Sequence, residues 1–412
     1  MRRLVLLSLA FTLLAAPIRA QEKPFKRVLV LTGGGFRFIY QFGVYDALLD
    51  QGWKPDLVIA TCGAGVVAAI LHGLPDRNER VAFLQSPEML SAFRSFRLTG
   101  GGFRSMERMI RKMSHYRTGW ETGSDVIPDL FKLALYDDDP IPLPFWQKSF
   151  TDRRPEDPHF LIIGAAVDFT PADAETSRKG RKVYHEAYLT DPEVAQFLTD
   201  FPSPIGQAYP ESAVSLDTRV FTDFSIGDAA IISVRDPFLL RPKRHGQQYF
   251  TGGNIDLYPL ELAKYLGEEV IMTFTGGFDK FESLSINVSL GYDMNERLRS
   301  VTSNPVTRWI DATRMGNKDF TMYPELKTGF PKLFELRDNY PQDQSLLRTD
   351  GDGRSLGGHY VVTADMEWMR RALVGYDRGY DRGTEGWLSD GGTRQIRSKR
   401  KTESLTKAKA KN

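Results

Sequence analysis

Two periodicities alternate along the chain. After Pro24 an apolar run from Val28 to Leu31 ends in three glycines, and Phe42, Tyr45, Leu48 and Leu49 then recur at helical spacing until Gly52. A second apolar run, Leu57 to Ala60, passes through the small-residue turn Thr61-Cys62-Gly63-Ala64-Gly65 into a helical stretch carrying Val66, Val67, Ala69 and Ile70. Strand and helix in alternation predict an α/β fold with a mainly parallel central sheet covered by helices.

The pattern loosens between about residues 75 and 150, where an insertion or lid is expected. Met106 to Met113 and Val126 to Leu135 read as helices; Gly100 to Gly102, the Asp137 to Asp139 run and Pro140, Pro142 and Pro144 read as loop. Phe160 to Val167 reads as a buried strand, and Lys182 to Tyr188 as a strand to pair beside it. A helix from Gly227 to Ile232 then leads to a short strand, Gln247 to Phe250, running into Thr251-Gly252-Gly253. A helix over Leu260 to Leu266, a strand over Glu269 to Phe274 and helices over Met294 to Arg314 and Ala364 to Leu373 follow. The loop TDGDGRSLGG before the last helix offers only Asp350 and Asp352 as carboxylates and lacks the terminal bidentate Glu of a calcium loop, so it reads as a turn.

The two ends differ from the body. Arg2 and Arg3 precede an apolar run from Leu4 to Ala16, and Ala20 offers a small residue for cleavage before Gln21, so residues 1–20 read as a secretory signal. The run is shorter than the ~20 residues a spanning helix needs. The formal charge of the whole chain is +2, but the signal carries +3 and the tail from Arg394 to Asn412 carries +7, which leaves the body at −8. An acidic body predicts no nucleic-acid partner. The lysine-rich tail reads as solvated and attracted to anionic lipid headgroups. An exported protein, periplasmic or secreted, follows, with its domain over about residues 25–390. The single cysteine, Cys62, excludes an intramolecular disulfide and reads as a small buried residue of a tight turn. The six histidines show no H-x-x-x-H or H-E-x-x-H spacing, so neither a metal nor another cofactor is predicted.

Three stretches in order resemble the patatin-like phospholipase family of lipid acyl hydrolases. In that family a GGGxRG loop supplies the oxyanion hole, the serine of a G-x-S-x-G elbow is the nucleophile, and an aspartate in a DGG or DGA turn completes a Ser-Asp dyad. Here the loop is Gly33-Gly34-Gly35-Phe36-Arg37-Phe38, followed by a helix like the family's first; the elbow is Thr61-Cys62-Gly63-Ala64-Gly65; and the third motif is Thr251-Gly252-Gly253. The resemblance spans roughly Arg27 to Val270 and implies a three-layer patatin-like fold.

Each motif departs from the pattern at a chemically meaningful position. Aligned this way, Gly63 stands at the nucleophile, Thr251 at the aspartate and Phe38 at the last loop glycine, where its ring narrows or fills space. Without a nucleophile no acyl-enzyme forms, and without the carboxylate nothing takes the proton. Sliding the elbow to centre on Cys62 places Ala60 and Ala64 where the pattern has glycines that relieve crowding. His245 and Asp256 lie near the third motif, but a lone His in the polar stretch RPKRHGQQ reads as a solvated surface residue rather than a replacement base. The reading is therefore a pseudo-hydrolase with no intact catalytic residue, binding a lipid, a fatty acyl ligand or a protein partner. The alternative is an active lipid acyl hydrolase with a non-standard nucleophile.

Overall fold

The computed structural model describes residues 22–33, 38–94, 96–98, 103–119, 123–138, 143–274, 278, 280–304, 308–311 and 387–388. The expected signal, the loop residues Gly34, Gly35 and Phe36, the turn Gly100 to Gly102, the loop TDGDGRSLGG, the helix at Ala364 and the basic tail lie outside them.

In chain order the elements are β1 (Phe25–Leu31), α1 (Tyr40–Asp50), β2 (Leu57–Thr61), α2 (Gly63–Gly73), α3 (Arg77–Leu84), α4 (Pro87–Arg94), β3 (Phe96–Leu98), α5 (Phe103–Tyr116), β4 (Arg117–Gly119), β5 (Gly123–Ser124) and β6 (Tyr136–Asp138). Then come β7 (His159–Val167), β8 (Tyr184–Thr190), α6 (Pro192–Ala195), α7 (Pro204–Ala208), β9 (Arg219–Phe221), α8 (Ile226–Ser233), β10 (Lys243–His245) and β11 (Gln248–Thr251). The last are α9 (Leu260–Leu266), β12 (Gly267–Phe274), α10 (Lys280–Leu290), α11 (Met294–Thr302), β13 (Arg308–Asp311) and β14 (Trp387–Leu388).

The main sheet runs β10-β11-β7-β2-β1-β12-β13-β14, with β8 on β7 and β9 on β8. Strands β7, β2, β1, β12 and β13 are mutually parallel, in registers such as Ile59 opposite Leu161 and Val28 opposite Val270. Their side chains divide by the strand period of two. Val28, Val30, Leu57, Ile59, Leu161 and Ile163 enter one buried cluster, and Leu29, Leu31, Val58, Ala60, Phe160 and Ile162 enter the other. A sheet packed on both faces needs apolar residues at every position, which is why these strands read as continuous hydrophobic runs. α1, α2 and α8 pack on one face, and α9, α10 and α11 on the opposite one.

One feature of this sheet positions the site. β2 pairs with the first half of β7, parallel, up to Thr61 opposite Ile163. β11 pairs antiparallel with the second half, ending at Thr251 opposite Ala165. Two strand ends thus meet head-on over Gly164, only two residues of β7 apart, so the turns that leave them are forced together.

Three sequence expectations need correction. Val126 to Leu135 is irregular rather than helical: Pro128 lacks a donor, and the amides of Ile127 and Leu135 go to Thr176 and Phe238 on other segments. Asp137 and Asp138 belong to β6, paired with Phe96–Leu98, rather than to a loop. The helix begun at Met294 stops at Thr302, ahead of Asn304-Pro305, and Arg308–Asp311 instead joins the sheet beside β12. The strands over Phe160 to Val167, Tyr184 to Thr190 and Gln248 to Thr251 and the helices over Phe103–Tyr116, Ile226–Ser233 and Leu260–Leu266 form where the pattern puts them. Among the described residues no helix is long and apolar enough to cross a membrane.

Candidate active site

The turn after β2 is built around Cys62. Its backbone sits at φ 51°, ψ −128°, while Gly63 is already the first residue of α2. A side chain at positive φ costs about 1–3 kcal/mol and persists only where the surroundings enforce it. That conformation lifts the residue between strand and helix out of the sheet, with the helix N-terminus beneath it. The strained position of the elbow is therefore Cys62, one residue before the Gly63 of the motif alignment. The objection from crowding fails because Ala60 and Ala64 are fully buried without displacing the turn. The close approach is made instead by Gly65, where an added Cβ would lie 2.9 Å from Ser233 Cβ on α8.

The elbow is held on both sides. Thr61 Oγ1 accepts from the Gly33 amide at 2.9 Å and donates to the Leu257 carbonyl at 3.3 Å, tying the start of the glycine loop to the turn. The preceding Thr32 is fixed in turn: its amide donates to Thr273 Oγ1 at 2.9 Å and its carbonyl accepts from Gln41 Nε2 at 2.6 Å. Gly33 is required because a Cβ there would stand 2.9 Å from Cys62 Cβ and 2.5 Å from Leu257. Phe38 is buried in the helix-side core, its ring edge-on to Phe42 with centroids 6.4 Å apart.

A carboxylate reaches the thiol from an unexpected quarter. Cys62 Sγ lies 3.4 Å from Asp236 Oδ2, in the donor-acceptor range for sulfur. Asp236 follows α8 and lies in neither of the expected turns. Thr251 brings no acid: it is fully buried and its hydroxyl donates to the Arg235 carbonyl at 2.5 Å. Gly252 and Gly253 pack the turn against both partners, since an added Cβ would stand 2.3 Å from Asp236 Oδ1 at the first and 2.7 Å from the Cys62 amide nitrogen at the second.

Neither replacement base considered from sequence is brought to the elbow. His245 lies 3.3 Å from Asp223 and its ring centroid is 3.9 Å from that of Phe224. Asp256 is fully buried in an ion pair with Arg297 at 3.0 Å, and Arg297 also binds Glu261. Sequence reasoning missed Asp236 because Val-Arg-Asp-Pro reads as an ordinary helix exit. The available signal was the lone cysteine one residue before the helix.

Gly33, the elbow and the Thr-Gly-Gly turn thus meet at one end of the sheet. A model of the patatin-like phospholipase family matches residues 29–264, more than half of the chain. The chain belongs to the patatin-like phospholipase family. Among curated proteins none matches it. Among solved structures it is similar to VipD from Legionella pneumophila, with 12% identity and a TM-score of 0.29 over 82% of this chain and 72% of that one. It is also similar to the type III effector protein ExoU, with 13% identity and a TM-score of 0.22 over 93% of this chain and 81% of that one.

Within this patatin-like domain two polar clusters lie apart from the elbow. His159, Asp191 and Glu193 sit close enough to share a cation, but Arg153 Nη2 lies 2.7 Å from His159 Nε2 and His159 Nδ1 lies 2.8 Å from Asp191. With the guanidinium on one ring nitrogen and the carboxylate on the other, both are occupied, as befits an ion-pair network. Glu186 is buried and accepts from Tyr188, Ser203 and the Ile205 amide at 2.6, 2.8 and 3.1 Å. Loss of solvent, with the nearby Asp256 charge, pushes its carboxyl up to about 7.

Proposed function

We propose that this patatin-like protein is a thiol-dependent lipid acyl hydrolase in which Cys62 is the nucleophile and Asp236 the proton acceptor. One observation carries the reading: the only thiol of the chain occupies the strained elbow residue and points at a carboxylate 3.4 Å away. An ordinary carboxylate is a weaker base than an ordinary thiolate by roughly 4–5 pK units, so the proton moves only as the carbon–sulfur bond forms. Sγ attacks the acyl carbonyl carbon and its proton passes to Asp236. The Gly63 amide, first of α2 and without an intrahelical acceptor, is the donor placed to meet the oxyanion. Collapse expels the alcohol, which takes the proton from Asp236 and leaves a thioester. Water, deprotonated by the same carboxylate, then releases the acid and restores the thiol.

The test is turnover of short-chain p-nitrophenyl esters and phospholipid by the purified chain. Cys62→Ala and Asp236→Asn are each expected to lower kcat by at least about 100-fold. Wild-type turnover in Cys62→Ala would sink the assignment.

A second reading, the pseudo-hydrolase that holds a lipid or acyl ligand or a protein partner, is favoured by the neutral Thr251 at the family's aspartate position. It predicts no turnover by the wild-type chain and co-purified lipid in native mass spectrometry. In either case we infer an exported protein whose tail from Arg394 meets anionic membrane. Binding to phosphatidylserine vesicles that falls with salt and with deletion of residues 394–412 is the expected result.

A further inference from the structure

The geometry points to Thr251 as a positioning residue that holds Asp236 at the thiol, an inference that rests on the hydrolase reading above. Thr251 Oγ1 and the Gly252 amide both donate to the Arg235 carbonyl, at 2.5 and 2.7 Å. That carbonyl belongs to the peptide unit that leads into Asp236. The same turn touches both halves of the pair: Gly252 lies against the Asp236 carboxylate and Gly253 against the Cys62 amide and the Ile163 carbonyl. Thr251 is itself fixed by β11, where it stands opposite Ala165, two residues past the partner of Thr61. The turn that holds the acid in the family pattern thus holds, in this chain, the backbone of an acid supplied by the exit of α8. A hydroxyl is enough for that task because its acceptor is a carbonyl, and burial shields the bond from competing water.

Thr251→Val keeps the shape and removes the donor, while the Gly252 amide still satisfies the carbonyl. Thr251→Ser keeps the donor. The expected result for Thr251→Val is a kcat lowered about 10- to 100-fold with KM unchanged, and Thr251→Ser restores it. A second readout is the pH profile of alkylation by iodoacetamide, which reports Cys62 alone because the chain has one cysteine. A carboxylate held at Sγ opposes the thiolate and accepts from the thiol. Releasing it therefore moves the alkylation midpoint to lower pH in Thr251→Val, as in Asp236→Asn, while turnover falls. General loosening also exposes the thiol and lowers its midpoint, so the readout specific to positioning is non-additivity: in an Asp236→Asn background, Thr251→Val moves the midpoint no further.

Wild-type kcat and a wild-type alkylation midpoint in Thr251→Val, or failure of Thr251→Ser to restore either, overturns the positioning role. If Cys62→Ala abolishes turnover and Thr251→Val does not lower it, the positioning role alone has failed. If Cys62→Ala retains turnover, the hydrolase reading has failed, and the alkylation midpoint decides whether Thr251 holds the carboxylate. Should Thr251→Val not fold, Thr251→Ala with the same two readouts replaces it.

Discussion

Replacing Cys62 by glycine and by alanine separates the backbone of the elbow from its chemistry. Both variants lose the thiol and its contact with Asp236, so those terms cancel between them. At an ordinary position glycine is less stable than alanine by about 0.5–1 kcal/mol, because it gives the unfolded chain more freedom. At φ 51°, ψ −128° a Cβ costs about 1–3 kcal/mol, and glycine avoids that cost. The balance makes Cys62→Gly more stable than Cys62→Ala by roughly 0.5–2 kcal/mol. Urea unfolding with equal m-values measures the difference, and a Tm higher by about 1–5 °C should accompany it. Ala64→Gly, on the regular helix α2, supplies the control of opposite sign. An alanine variant as stable as the glycine variant would refute the strained elbow at Cys62, and the nucleophile assignment would lose its support.

Gly253→Ala forces a Cβ to within 2.6 Å of the Ile163 carbonyl and 2.7 Å of the Cys62 amide, both backbone atoms. A loss of about 2–4 kcal/mol in urea unfolding is expected, because neither neighbour can turn aside. Glu186→Gln tests the buried carboxyl through pH. Its folded value of about 7 lies above the ordinary 4.5, so the native state holds the proton longer than the unfolded chain. The associated stability is complete below pH 4.5 and drains away as pH rises to 7, by on the order of 3 kcal/mol. Thermal melts of Glu186→Gln should lack that decline between pH 4.5 and 7; an unchanged slope would show that Glu186 is not its source. Arg80→Ala removes the buried guanidinium paired with Asp46 and leaves it the half-exposed Arg77 at 3.7 Å, so a cost of about 2–4 kcal/mol, below that of a wholly unpaired buried charge, is expected by the same unfolding assay.

Much of the fold was legible in the chain because its causes are local. Val28 to Leu31 and Leu57 to Ala60 are apolar at every position, as strands buried on both faces must be, and the helical spacing after each fixes the alternation. Where backbone groups found partners on distant segments, local pattern misled. Ile127 and Leu135 donate to Thr176 and Phe238, so an apolar stretch around Pro128 stays irregular.

The three motifs and their order were likewise in the sequence, and with them the patatin-like family. The sequence alone determined that a glycine loop, an elbow and a Thr-Gly-Gly turn follow one another in the order of the family pattern. Only the tertiary structure decided which elbow residue is strained, because a φ near +51° at Cys62 depends on where β2 ends and α2 begins, and not on how many glycines the turn contains. Only it brought Asp236 to the thiol. That contact needs β2 and β11 to end face to face on β7, with α8 packed against α2 so that its exit passes beneath the turn. A contact between residues 174 positions apart is set by the sheet that joins them, and neither residue's neighbours in sequence record it.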